Sequence, residues 1–192
     1  KGVEKWWTEQ LAGRIPEETL NNHLTFMPAM ELTARQLAYT YPNPGIILAE
    51  ARREGIVPNG QVLPVEQLRE KLEQYQQLKG YRAQRDLIEQ LQRQKIARMV
   101  YSENQLVEVM TDFWFNHLNV SITHSRAFPY ILSYERDAIR PYALGRFDNL
   151  LKETARHPAM LYYLDNAASG NPGINENYAR ELLELHTVGS LG

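Results

Sequence analysis

The spacing of apolar residues constrains this chain more than any other feature of its sequence. Apolar side chains recur three or four positions apart along most of its 192 residues, as Leu106, Met110 and Phe113 do. Strict alternation of apolar and polar residues over the length of a strand is hard to find. Because this period matches one face of a helix, the sequence predicts an all-α fold, an irregular multi-helix bundle.

Glycine and proline divide the chain into predicted helices. Gly13 is placed to end the first helix, and Asn43 followed by Pro44 is placed to begin another. Residues 64–101 are rich in glutamine and charge and predict a long helical arm or hairpin, with Gly80 as a break or kink. We expect residues 1–192 to form a single helical domain, with residues 167–173 as a short link before the last helix.

Composition narrows the functional classes. The net charge of −2 gives no field that would attract nucleic acid, although six basic residues against two acidic ones make residues 79–98 locally basic. Such a run can bind phosphates or acidic partners, but most such runs are a solvated helix face with ion pairs one turn apart. The absence of cysteine excludes disulfides and thiol nucleophiles. The longest apolar run, residues 159–164, is far shorter than the about 18 residues of a membrane-spanning helix, so no membrane span is expected.

His117 is the first candidate for chemistry. It continues the stripe of Leu106, Met110 and Phe113, so the spacing predicts that this face is buried and that the imidazole enters a dry environment. A buried imidazole can act in acid–base catalysis or bind a metal. A core histidine that is hydrogen-bonded to the backbone is the alternative.

The remaining candidates lie near the end of the sequence. Asp165 and Asn166 follow a fully apolar segment, where both residue types also cap helices and form turns. In the last predicted helix, Arg180 lies between acidic neighbours, and Glu181 and Glu184 are close to one turn apart. Such carboxylates can serve as acid and base or hold a hard cation, while a surface lattice of ion pairs is the alternative.

No motif indicates a metal or cofactor. The histidines at 117, 124, 157 and 186 lack the four-residue spacing of zinc-protease motifs, and no Glu-x-x-His occurs. Glycine-rich phosphate loops and nucleophile elbows are also absent from the sequence. We therefore predict no metal site and leave any cofactor undefined.

Four segments together resemble the bacterial family of domain of unknown function 1800. They are MTDFWFNHLNV at 110–120, SYERDAIR at 133–140, PAMLYYLDN at 158–166 and INENYARELLELHTVG at 174–189. The resemblance runs in order from Gly2 to the end of the chain. It implies a large, mostly helical and usually exported protein, often encoded beside a sulfatase-like protein that is a possible partner. It therefore also implies a location outside the cytoplasm, but it names no reaction.

The resemblance also selects candidate site residues. The positions that match the family's motifs are Trp114, Asn116, His117, Arg140, Asp165, Asn166, Asn175, Asn177, Arg180, Glu181 and Glu184. Many relatives carry a second histidine where Phe115 stands, which disfavours a two-histidine metal site here. Relatives also continue beyond Gly192 and often carry an insertion near residues 168–173. We therefore expect this chain to be the N-terminal part of a larger domain.

Two functions follow from these observations. The first is a binding or scaffolding module of the cell envelope that works with a protein partner, with the 64–101 segment as its contact surface. The second is a hydrolase-type enzyme with a polar pocket. In that pocket His117 would be the acid–base group or a ligand, Asp165, Glu181 and Glu184 would supply carboxylates, and Arg180 would bind an anionic group. The oligomeric state is left open.

Overall fold

The prediction of an all-α multi-helix fold is confirmed. A computed structural model describes residues 2–60, 62–170, 173–186 and 189, and no strand occurs among them apart from one isolated bridge between Gly170 and Gly173. Asn171, Pro172 and the side chain of His186 lie outside the described residues. In chain order the α-helices are α1 Val3–Ala12, α2 Glu18–Leu24, α3 Ala34–Thr40, α4 Pro44–Arg53, α5 Val65–Lys79, α6 Gln84–Tyr101, α7 Gln105–His117, α8 Ile131–Ser133, α9 Phe147–Arg156, α10 Pro158–Tyr163 and α11 Asn177–His186.

Local sequence signals set the ends of several helices. Gly13 ends α1 with a φ of 58°, a left-handed conformation that glycine adopts without a steric penalty. The side chain of Asn43 accepts a hydrogen bond from the amide of Gly45 at 2.7 Å and begins α4. Gly80, with a φ of 71°, ends α5 and separates it from α6. The predicted break at Gly80 is therefore present, and α5 and α6 are separate helices that pack mainly against other elements, α5 against α4 and α6 against α2.

The main hydrophobic core is made by the second half of the chain, with contributions from α3 and α6. Leu150 of α9 and Ala159 of α10 pack there with the segment between α7 and α9. The buried members are Ala29, Leu37, Tyr41, Leu87, Leu118, Val120, Ala127, Phe128, Ile131, Leu132, Tyr134, Ala138, Ile139, Leu150, Ala159 and Met160. This core fixes the relative positions of α6, α7 and the segment between α7 and α9, which carry much of the site described below.

Both helices of the 64–101 segment pack against the rest of the molecule. Tyr75 of α5 packs in a smaller cluster with Ile47 and Ala51 of α4. Helix α6 packs against α2 and α7, and it buries two glutamines, Gln90 and Gln94, as well as apolar side chains. Residues 64–101 therefore supply buried contacts to the rest of the molecule. Deleting the segment would remove these contacts, so point substitutions on its surface are the better test of whether it binds a partner.

Helix α7 buries a different face from the one that its apolar stripe predicts. Glu108 and Thr111 are buried, whereas Phe113 is 50% exposed and His117 is also exposed. The expectation of a dry imidazole at His117 was therefore wrong. The physical reason is that basic side chains from neighbouring helices neutralise Glu108, so a charged face can be buried.

The start of α7 is held by tertiary contacts instead of a local side-chain cap. The N-cap residue is Asn104, and its side chain does not cap the helix. It binds the backbone of Ile15 instead, donating to the carbonyl at 2.8 Å and accepting from the amide at 2.9 Å. Gln10 of α1 accepts a hydrogen bond from the amide of Leu106 at 3.0 Å. A side chain of α1 thus binds a backbone amide of α7 that a local cap would otherwise satisfy.

The segment between α7 and α9 is not a regular α-helix. After the 3₁₀ turn Phe128–Tyr130 and the short α8, the chain forms a π-helix, Tyr134–Ile139, and then the 3₁₀ turn Arg140–Tyr142. A π-helix has i→i+5 hydrogen bonds and occurs frequently at functional sites. Here it allows Glu135 and Arg140, five residues apart, to bind each other.

Candidate functional site

A buried cluster of charges joins α6, α7 and the π-helix. Nη1 of Arg140 donates to Oε1 of Glu108 at 2.7 Å, and Nη2 donates to Oε1 of Glu135 at 3.2 Å. The side chains of Glu108 and Glu135 are only 8% and 3% exposed. Such carboxylates are costly to bury unless they are paired, so the arginine and the two glutamates depend on one another.

The second carboxylate of this cluster has further partners on α6. Nζ of Lys95 lies 3.1 Å from Oε2 of Glu135 and 2.9 Å from Oδ1 of Asp112. The amide of Gln94 donates to Oε1 of Glu135 at 2.9 Å. Lysine, glutamine and arginine thus all converge on Glu135, which explains how a fully buried carboxylate is tolerated.

Arg98 is the most weakly bound cation of this group. Nε donates to the side chain of Gln94 at 2.9 Å, and Nη1 lies 3.6 Å from Oε1 of Glu108. Only 12% of its side chain is exposed. Burial lowers the pKa of Arg98, and the neighbouring charge of Arg140 lowers it further, despite the opposing effect of the nearby glutamates. Its surroundings therefore stabilise positive charge less well than water does.

Arg98 and Arg140 open onto a cleft of about 520 Å³ between the end of α1, the start of α7 and the turn after the π-helix. We call it the arginine cleft. It is lined by Leu11, Ala12, Gly13, Arg14, Glu17, Arg98, Asn104, Val107, Glu108, Arg140, Pro141, Leu144 and Gly145. Three arginines and two glutamates thus share a wall that also carries apolar side chains.

Glu17 is held in place at this cleft by the start of α7. Oγ of Ser102 donates to Oε1 of Glu17, and the amide of Asn104 donates to the same oxygen at 3.5 Å. Burial raises the pKa of Glu17, but the hydrogen bonds from Ser102 and Asn104 and the charge of Arg98 outweigh it. The pKa of Glu17 is therefore lowered, and its carboxyl is ionised near neutral pH.

His117 lines a different and smaller pocket, of about 220 Å³, which we call the His117 pocket. Its walls are mostly apolar and are formed by His117, Leu118, Asn119, Thr154, Met160, Tyr163, Leu164, Tyr178, Glu181, Leu182 and Leu185. The imidazole of His117 is stacked on Phe113, with ring centroids 5.6 Å apart. Two of the predicted site residues, His117 and Glu181, therefore share this pocket.

The other candidates for the hydrolase pocket do not line it. Asp165 is exposed and follows α10 in a left-handed conformation with a φ of 57°, as aspartate can. Arg180 is exposed, lies 3.8 Å from Glu176 and donates to Oδ1 of Asn177 at 2.5 Å. Glu184 is exposed as well. These residues lie at the surface of the last helix and the turn before it.

The remaining predicted residues have local structural contacts. Nε1 of Trp114 donates to the carbonyl of Ala143 at 3.1 Å, and Asn116 donates to the carbonyl of Asp112 one turn earlier. Asn166 accepts from the hydroxyl of Ser169 at 3.0 Å.

Asn175 and Asn177 fix the start of α11. The side chain of Asn175 accepts from the amide of Asn177 at 3.0 Å, and Asn177 donates to the carbonyl of Leu164 at 3.4 Å. Of the predicted site residues that the structure describes, Arg140 alone lines the arginine cleft.

The sequence analysis missed Glu108, Glu135 and Arg98. One signal was present in α7, because Glu108, Thr111, Phe115 and Leu118 follow a three–four–three spacing that places them on one helix face. No signal marked Glu135, since its partner Arg140 is five residues away and an ordinary α-helix would turn the two side chains apart.

Within the described residues, no group of three or more histidine, aspartate or glutamate side chains is arranged to hold a metal ion. The same part of the chain contains no helix with the length and apolar character needed to cross a membrane.

These features define the class of the molecule: a helical protein in which a buried arginine–glutamate cluster forms one wall of an open polar cleft. The chain belongs to the family described as Protein of unknown function (DUF1800), which matches residues 1–192. Neither a curated protein nor a solved structure matches the chain.

Proposed function

We propose that this protein is a binding module that holds a small molecule by an anionic group in the arginine cleft. One observation carries the proposal. Arg98 and Arg140, with side chains 12% and 16% exposed, both reach Oε1 of Glu108 and both line the same cleft of about 520 Å³. Guanidinium groups in such positions bind carboxylates and phosphates with directed, charge-assisted hydrogen bonds.

The electrostatics of the cleft support an anionic ligand. Burial and the charge of Arg140 lower the pKa of Arg98 even with Glu108 and Glu135 nearby. The guanidinium keeps its charge at any physiological pH, and an additional negative group would make its surroundings more favourable. A bound anion between the arginines would supply that group.

The size of the cleft is also that of a ligand site. Pockets for small molecules and cofactors typically have volumes of about 300–1,000 Å³ and combine apolar walls with a few polar groups. The arginine cleft has apolar side chains from α1, α7 and the turn that contains Leu144. It therefore offers room for the rest of a small molecule beside its anionic group.

Thermal unfolding in the presence of acetate or inorganic phosphate tests this proposal, with chloride at equal ionic strength as the reference. A ligand that binds only the folded state raises the unfolding temperature in a concentration-dependent way. We expect acetate or phosphate to stabilise the protein. The Arg98→Gln variant should need about tenfold more anion for the same rise in unfolding temperature.

Arg93→Gln is the matched control. Arg93 lies on the same helix, is 68% exposed and pairs with Glu89 at 3.6 Å, away from the cleft. The Arg93→Gln substitution removes the same charge as Arg98→Gln and leaves the cleft unaltered. Equal stabilisation of Arg98→Gln and Arg93→Gln by the anions, or none in the original protein, would overturn the proposal.

A hydrolase is the second candidate function, and one observation favours it: His117 and Glu181 line the same pocket of about 220 Å³. An imidazole and a carboxylate at a mostly apolar pocket can act as base and acid. Hydrolysis of p-nitrophenyl acetate should then be lost in His117→Ala and reduced in Glu181→Gln. His23→Ala, on α2, is the control, because His23 stacks on Tyr101 outside this pocket. Unchanged rates in the two pocket variants would refute this candidate.

The location outside the cytoplasm and the sulfatase-like partner are proposed from the family resemblance alone. Cell fractionation tests the first, since an exported protein is expected in the periplasm, envelope or medium. Capture of the neighbouring sulfatase-like protein by the purified chain tests the second, and failure of capture at micromolar concentrations of both proteins would contradict it.

A further inference from the structure

The arginine cleft contains a negative group as well as its positive ones. Oε1 of Glu17 is occupied by hydrogen bonds from Ser102 and Asn104. These bonds orient the carboxyl, and Glu17 lines the cleft, so its negative charge faces a donor that enters the cleft.

Glu17 and Arg98 line the same cleft without neutralising each other by contact. The charge of Arg98 lowers the pKa of Glu17, which shows that the two groups interact. No ion pair within 4.0 Å joins them, whereas Arg98 is paired with Glu108. Two opposite charges therefore lie in one cleft with a gap between them.

A ligand with a single negative charge would satisfy only the arginines. Glu17 would remain ionised and would lose part of its hydration when the cleft is filled, which is unfavourable. A ligand with both an anionic and a cationic group would satisfy the two sides. It would also orient itself, because each end of the ligand is attracted by one wall and repelled by the other.

The apolar lining indicates what lies between or beside the charged ends. Leu11 is 63% exposed and Leu144 is 38% exposed, and both line the cleft with Val107. These side chains are too exposed to be explained as core, and they offer contact to an aliphatic group of a ligand.

We infer that the ligand of the arginine cleft is a free amino acid or a short peptide, with its carboxylate on Arg98 and Arg140, its ammonium group on Glu17 and an aliphatic side chain against Leu11, Val107 and Leu144. This inference rests on the proposed function. It adds the zwitterionic class of the ligand and a recognition role for Glu17.

Isothermal titration calorimetry of the full chain with alanyl-leucine, its N-acetyl derivative and its C-terminal amide tests the inference. We expect the free dipeptide to bind at least about tenfold more tightly than either blocked form. Glu17→Gln should remove the difference between the free and acetylated peptides, while its stabilisation by acetate persists. That persistence shows that the cleft is still formed in the variant.

Glu18→Gln is the control, because Glu18 is the next residue, begins α2 and is exposed outside the cleft. The Glu18→Gln variant should bind the free dipeptide as tightly as the original protein does. If acetate stabilises the protein but acetylation of the peptide does not weaken binding, this inference is overturned and the proposed function stands. If neither acetate nor any peptide binds, both are overturned.

Discussion

Arg140 and Glu108 form the shortest ion pair of the buried cluster, with Nη1 of the arginine 2.7 Å from Oε1 of the glutamate. The pair connects the turn after the π-helix to the first turn of α7, two elements far apart in the sequence. Glu108 also meets Arg98 of α6, so one carboxylate joins three elements. The arrangement of the arginine cleft therefore depends on Glu108.

Glu108→Ala should strongly destabilise the protein. It leaves Arg140 and Arg98 buried without this counter-charge, and breaking a buried pair typically costs about 3–5 kcal/mol. We expect a loss of this size in the free energy of unfolding, measured with urea. Glu103→Ala, exposed just before α7, should change stability by less than about 0.5 kcal/mol. A loss below about 1 kcal/mol for Glu108→Ala would contradict the importance of the cluster.

Gly13→Ala should destabilise more than Gly55→Ala. Both glycines have a positive φ, 58° and 77°, so alanine costs about 1–2 kcal/mol of backbone strain at either position. At Gly13 the added Cβ would also lie 2.9 Å from Cγ2 of Val107, whereas nothing lies within 4 Å at Gly55. Chemical denaturation of both variants measures how much more free energy of unfolding Gly13→Ala loses than Gly55→Ala. Equal losses would show that α1 moves away from α7 freely.

Thr111→Val should leave stability unchanged or raise it slightly. The hydroxyl of Thr111 is buried and has no hydrogen-bond partner among the described residues. Valine has the same shape, so the exchange removes an unpaired polar group without opening a cavity. Ser133→Ala is the comparison, because the hydroxyl of Ser133 donates to the carbonyl of Tyr130 at 2.9 Å. This variant should lose about 1 kcal/mol of the free energy of unfolding. A similar loss for Thr111→Val would contradict the prediction.

Stability should fall on acidification because of His157. This residue is buried, and its Nδ1 accepts a hydrogen bond from the amide of Ala159 at 3.2 Å, which caps α10. Burial, more than any nearby charge, lowers the pKa of His157 from 6.5 to about 4. The unfolded chain therefore binds a proton at higher pH than the folded one. Stability is complete above about pH 6.5 and decreases as the pH falls to about 4.

The contribution of His157 over this range is at most about 3 kcal/mol, from the difference between the two pKa values. His157→Asn isolates it, because asparagine can cap the helix but does not titrate. Urea unfolding between pH 7 and pH 4 should show a weaker pH dependence in this variant than in the original protein. Parallel curves for the two proteins would contradict the prediction.

The sequence predicted the helices well because their signals are local. The end of α1 at Gly13, the start of α4 at Asn43 and the break at Gly80 each depend on the conformation or side chain of one residue. The candidate site was predicted less well. His117 and Glu181 do share a pocket, but Asp165, Arg180 and Glu184 lie outside it. The spacing placed Arg180 and Glu184 on the last helix and could not say which neighbour that helix would meet.

By itself the sequence determined an all-α protein, the ends of several of its helices and its family, because periodicity, capping residues and motifs are properties of short segments. Tertiary structure alone decided that α7 buries Glu108 and exposes Phe113. The physical reason is that a carboxylate can be buried when cations surround it, and the cations at Glu108 come from α6 and from the turn at Arg140. Their convergence, and the cleft that it forms, exists only in the folded chain.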